Sequence, residues 1–128
     1  MTDVPTLLHH WFDEVWNKGR QEAIDELLAP DCIAHGLTDE HGNEVRGPAA
    51  FKAFHRNLLA GFSSFRVEVE DALVDGDRVA ARCLVTGTQA GSGKPVRFTG
   101  MTMIRTKDGK ITEGWNNYDF DVMRQQLS

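Results

Sequence analysis

Cysteine is scarce in this sequence. Cys32 and Cys83 are the only two, they form no CxxC pair, and they are too few for a disulfide framework. No apolar run approaches the roughly 18 residues of a membrane span. "MTDVPTLLHHWFDEV" lacks a basic start followed by an apolar stretch, so no signal peptide is expected either. Concentrated positive charge is missing too: 14 Lys and Arg are scattered against 19 Asp and Glu, for a net charge of −5. That balance disfavours nucleic-acid binding, which relies on clustered cations. There is no HExxH, no GxSxG and no paired Cys/His cluster, and "GTQAGSGK" lacks both P-loop spacing and a following helix. With only His35 and His41 in "HGLTDEH", no metal site is expected. Repeats, low-complexity segments and linkers are also absent. What remains is a single domain over residues 1–128, expected in the cytoplasm and long enough to bury about two-thirds of its unfolded surface.

"VPTLLHHWFDEVWNKG" places Leu8, Trp11, Phe12, Val15 and Trp16 at helical spacing, with Thr2 or Asp3 as cap, Pro5 early and Gly19 as stop. "RQEAIDELLAP" predicts a second helix ending before Pro30. "DCIAHG" reads as a brief strand, and "TDEHGNEVRG" as polar turn. A third helix opens at Gly47 and Pro48 and carries a stripe of Phe51, Phe54, Leu58, Leu59 and Phe62, with His55 inside it. After Gly61 the period changes to two. "FRVEVEDALV", "RVAARCLVTGTQ", "VRFTGMTMIRT" and "ITEGWNNYDF", joined by "DGD", "AGSGKP" and "KDGK", predict an antiparallel meander. "DVMRQQLS" reads as a last helical turn. Helices followed by a sheet give an α+β domain, and a curved sheet under three helices leaves a pocket of the kind small molecules occupy.

Asp119, between Tyr118 and Phe120, has two readings. One is a carboxylate on the pocket wall, its pKa raised by desolvation and poised to move protons. The other is a cap for the terminal helical turn. In a regular last strand Ile111, Glu113, Trp115, Asn117 and Asp119 share one face, and Asn116, Tyr118 and Phe120 the other, a parity that a bulge would break. His55 is either a core histidine satisfied by a neighbour or a pocket-facing proton carrier. His35 ends the early strand, as a loop histidine or a pocket residue. Trp11, Phe51 and Phe54 are core residues that also suit a pocket wall, as do Met101 and Met103 on one strand face.

Taken in order, "EVWNKG", "IDELLAPDCIAHG", "PAAFKAF", "VEDALVDGDRVAARCLVTGTQAG" and "FTGMTMIRTKDGKITEGWNNYD" resemble the SnoaL-like polyketide cyclases, the ester-cyclase branch of the NTF2-like superfamily. The resemblance runs from about residue 12 to the end, and "IRTKDGKITEGWNNYD" is its most specific piece. It implies an NTF2-like cone: a strongly curved, mostly antiparallel sheet with three N-terminal helices enclosing a hydrophobic pocket. It also implies cofactor-independent ring closure by intramolecular aldol condensation, with Asp119 as general acid/base and His35 contributing to the pocket. His55, Trp115, Trp11, Phe51, Phe54, Met101 and Met103 are then the expected substrate-binding residues. The expected partner is a small apolar or aromatic carbonyl-containing ligand, with the chain associated as a dimer or tetramer through the outer sheet face. Two departures bear on substrate: "QAGSGKP" is short for that loop, and "FSS" stands where relatives often carry "FPD".

Three alternatives stay open on the residues alone. An isomerase would also use a pocket carboxylate, and an epoxide hydrolase would need an Asp–Arg–Asp relay, for which Arg82, Arg97 and Arg105 are available on strands. A non-catalytic binder would use the same pocket without turnover. An interaction module would need an apolar or acidic outer sheet face, whereas Arg66, Glu68, Glu70 and Arg82 there are mixed in sign.

Overall fold

The helical spacing of the first segment becomes α1 (Leu7–Trp11), a π-helical continuation (Phe12–Asn17) and α2 (Gln21–Leu27) in a computed structural model that describes residues 6–128. Thr2, Asp3 and Pro5 lie outside the described residues. The cap observed on α1 is Thr6, in a capping box with His9. Leu8, Trp11, Phe12, Val15 and Trp16 are all buried, as their spacing requires. The π-helical stretch has an identifiable cause. His55 Nε2 takes the Val15 carbonyl at 2.6 Å, and the Arg20 amide bonds Glu14 instead, so a side chain interrupts the regular ladder.

The first strand, β1 (Leu28–Thr38), is longer than the sequence indicated and includes Pro30. A short strand, β2 (Glu44–Arg46), forms within the stretch read as turn, held by pairing Ile33 with Arg46 and Ala34 with Val45. Three residues with one buried side chain are too few to show a period. The third helix, α3 (Gly47–Ala60), starts where Pro48 favours a first turn and buries Phe51 and His55.

The meander follows as β3 (Phe62–Asp75), β4 (Arg78–Gln89), β5 (Pro95–Lys107) and β6 (Lys110–Tyr118), all antiparallel neighbours. The six-stranded sheet has the order β2-β1-β6-β5-β4-β3, and β1 runs parallel to β6. A bulge shifts β6 against β5: Thr106 faces Ile111 while Arg105 faces Glu113. Ile111 and Gly114 therefore both turn inward, and from Glu113 onward the alternation is regular, with Asn116 and Tyr118 on the inner face. Gly100, opposite Tyr118, is required there, because an added methyl would occupy the space of the Tyr118 ring. The final segment is a helix, α4 (Phe120–Leu127), a fourth helix beyond the three N-terminal ones. Among the described residues no helix is long and apolar enough to cross a membrane.

Candidate functional site

Between the inner sheet face and the helices lies a cavity of about 70 Å3. Trp11, Phe12, Trp16, Phe51, Phe54 and Leu58 line it from the helices, and Val85, Phe98, Ile104 and Ile111 from the sheet. That volume holds several water molecules and is below the roughly 300–1,000 Å3 of drug-sized ligand sites. Phe54, Leu58 and Phe120 are only half-buried and supply the walls that a larger ligand would displace.

The polar part of the wall is small and ordered. Asn116 Nδ2 donates to the His35 carbonyl at 3.1 Å, Thr102 Oγ1 bonds Asn116 Oδ1 at 3.1 Å, and Thr102 Oγ1 bonds the Tyr118 hydroxyl at 2.6 Å. Thr102 is nearly inaccessible to solvent, at 4% exposure. Burial raises the Tyr118 pKa well above the usual phenol value, so the hydroxyl keeps its proton. Burial also raises the pKa of the Cys83 thiol. Cys32, also on the wall, is pushed up to about 11 by burial and by the neighbouring Asp31. Neither thiol is poised as a nucleophile.

Asp119 is not on this wall, which corrects the sheltered placement expected for it. It is exposed and caps α4, its Oδ1 accepting from the Val122 amide at 3.2 Å. The parity of β6 sends Asp119 outward, because Tyr118 takes the inward position beside it. As a cap, Asp119→Ala is expected to lower stability by about 1 kcal/mol, with Asp119→Asn near neutral, in urea denaturation. A loss of turnover in Asp119→Asn at unchanged stability would instead assign its charge to chemistry.

His55 is a core histidine and not a cavity residue. Nε2 donates to the Val15 carbonyl, and Nδ1 accepts from Gln21 Nε2 at 2.8 Å. Burial lowers its pKa, so the ring stays neutral and fully bonded. Trp115, Met101 and Met103 are on the outer sheet face, again by parity, and do not line the cavity. Of the three arginines, Arg105 pairs with Glu113 at 3.5 Å and Arg82 with Glu70 at 4.0 Å, while the Arg97 backbone is held by Gln126. Among the described residues none pairs with Asp119, so no Asp–Arg–Asp relay is assembled. Nor does any group of three His, Cys, Asp or Glu among them converge to hold a metal.

His35 also faces outward, stacked on Trp115 with ring centres 5.6 Å apart. Its Nδ1 lies 2.6 Å from Glu44 and its Nε2 2.6 Å from Glu113. Only the imidazolium donates at both nitrogens, so Glu113 first and Glu44 second raise its pKa. Since the folded state holds this proton more tightly, its stabilisation is complete below the ordinary histidine pKa of about 6.5 and is lost as pH rises through the higher folded value. Urea midpoints should fall as pH rises above about 6.5 in the wild type, and less steeply in His35→Gln.

Tyr118, Thr102 and Asn116 carry no motif that marks them in the sequence. The usable signal is the alternation in "NNYDF", which places Asn116 and Tyr118 opposite Trp115 and Asp119. A carboxylate among aromatics draws attention to Asp119, the outward member of the pair.

A largely apolar, helix-covered cavity on a mixed six-stranded sheet defines an α+β protein of the NTF2-like class. The chain belongs to the SnoaL-like polyketide cyclase family, whose sequence profile matches residues 6–127. Among solved structures it is similar to wild-type IdmH, a candidate polyketide cyclase from Streptomyces antibioticus, at 29% identity over 94% of this chain and 95% of that one, TM-score 0.83. A loop-truncation variant of IdmH gives 30% identity over 95% and 97%, TM-score 0.82. A candidate polyketide cyclase from Bacillus cereus gives 30% over 94% and 77%, TM-score 0.83. No functionally curated protein matches the sequence.

Proposed function

We propose that the protein closes a ring in a small apolar carbonyl compound by intramolecular aldol-type condensation inside this cavity. The observation that carries this reading is the Tyr118–Thr102–Asn116 array, a hydrogen-bonding pole set in a wall that is otherwise aromatic and aliphatic. Ring closure joins an enol carbon to a carbonyl carbon and moves the enol proton to the new alkoxide, so it consumes no electrons and needs no redox partner. Groups fixed in a cavity that the substrate empties of water act on charge developing at its oxygens without reorganising. The apolar walls fold the chain of the substrate and exclude competing water. Because Asp119 caps α4, the reaction starts here from the enol tautomer, already nucleophilic at carbon. Association of copies through the outer face, where Met101 is 55% exposed beside Met103 and Trp115, belongs to the same reading.

A second reading, uptake of a small apolar ligand without turnover, is favoured by one observation: among the described residues no carboxylate or imidazole lines the cavity. The two separate in one experiment. A linear 1,3-diketone bearing a second, distal ketone is incubated with the protein, and cyclised product is followed by mass spectrometry. Faster cyclisation than in buffer supports the enzyme, and binding without product supports the carrier. Gly114→Leu is the control. A methyl on Gly114 would meet Ile104 and Asn116 at ordinary contact distances of 3.7 and 3.8 Å, so a longer side chain extends into the cavity. That variant should remain folded and lose about 10²-fold or more in turnover, since blocked positioning removes most of the advantage.

A further inference from the structure

The polar array has a direction, and the direction follows from counting hydrogens. The His35 carbonyl only accepts, so the group bonded to it is the Asn116 amide nitrogen, which fixes Oδ1 on the other side. Oδ1 also only accepts, so Thr102 directs its single hydroxyl hydrogen there. The bond between Thr102 and Tyr118, 2.6 Å long, must then run from the phenol to Thr102 Oγ1. Any other assignment leaves a buried polar atom unpaired, which costs about 1–3 kcal/mol. The Tyr118 hydrogen is therefore committed to the protein, and the lone pairs of its oxygen are what it has left to offer.

We infer that Thr102 and Asn116 set the specificity of the cavity by turning Tyr118 into a hydrogen-bond acceptor, so that the site selects ligands carrying an enolic or phenolic hydroxyl over ligands that carry only a ketone. The inference rests on the proposed ligand site and deepens it: the form held is the enol, hydroxyl toward Tyr118. At Tyr118 a ketone can be accepted only if the phenol turns its hydrogen away from Thr102, giving up the short bond.

The test is equilibrium binding of 4-ethylphenol and acetophenone, two single-ring probes of similar size, followed by tryptophan fluorescence, since Trp11 and Trp16 line the cavity. In the wild type 4-ethylphenol should bind about tenfold tighter than acetophenone, the effect of about one net hydrogen bond. Thr102→Val frees the Tyr118 hydrogen and should bring the two probes to parity or reverse their order. Thr102→Ser keeps the hydroxyl and should keep the preference. Tyr118→Phe should bind both equally. Equal binding in the wild type, tighter acetophenone, or a preference unchanged in Thr102→Val overturns the inference while leaving the ligand site standing. Failure of both probes to bind overturns the ligand site and the inference with it. If Thr102→Val does not fold, the wild-type ratio set against that of Tyr118→Phe decides the question alone.

Discussion

Tyr118→Phe is expected to lower kcat/KM for ring closure by about 10²-fold, because its phenol oxygen accepts from the enol hydroxyl as that oxygen gains positive charge, and losing one preorganised electrostatic partner has effects of about 10² to 10³. The ring stays, so the packing against Gly100 and Phe120 is preserved. Folding should suffer much less, by about 1 kcal/mol, since Thr102 keeps its bond to Asn116 and loses only the phenol donor. Steady-state kinetics beside a thermal melt separates the two. A variant that keeps turnover within a factor of about three would remove the array from the chemistry. Pairing it with Thr102→Val gives a second measure: residues of one network act as a unit, so the double variant should lose far less than the product of the two single losses.

Gly36→Ala is expected to cost about 3 kcal/mol or more and to lower the melting temperature by about 10 °C. Gly36 has φ +86°, a conformation that side chains rarely adopt, and a methyl there would overlap the Asn116 carbonyl. Both penalties fall where β1 meets β6, and the same movement would shift the Asn116 amide that anchors the polar array. A neutral melt would mean that β1 can retreat without loss, contrary to the register of His35 beside Trp115.

Much of the fold is legible in the sequence because period and punctuation agree along most of the chain. The stripe of α3 and the alternation of β3 to β6 each repeat over many residues, and Gly-containing turns separate the strands. β2 and the π-helical stretch are not legible, for different reasons. β2 is held by its neighbour β1 with a single buried residue, and the π-helical stretch depends on His55 arriving from 40 residues further along the chain. The site is half legible. Trp11, Phe51 and Phe54 stand on the cavity wall, on the face that helical spacing marks as apolar. Trp115, Met101 and Met103 share a sheet face as expected, but it is the outer one. Which face is inner depends on what the helices cover, and alternation alone carries no such sign. Asp119 shows the same ambiguity, since one step in register separates a cap from a pocket wall.

The pairing of β1 with β6 joins Asn116 to a carbonyl 81 residues earlier in the chain. During synthesis, then, the emerging polypeptide holds an unfinished shell: helices and early strands can collapse, yet the recognition pole does not exist until the last strand has left the ribosome. Nascent chains that lack β6 should be unable to capture their ligand, and a small molecule that rescues folding would act only once that strand has emerged.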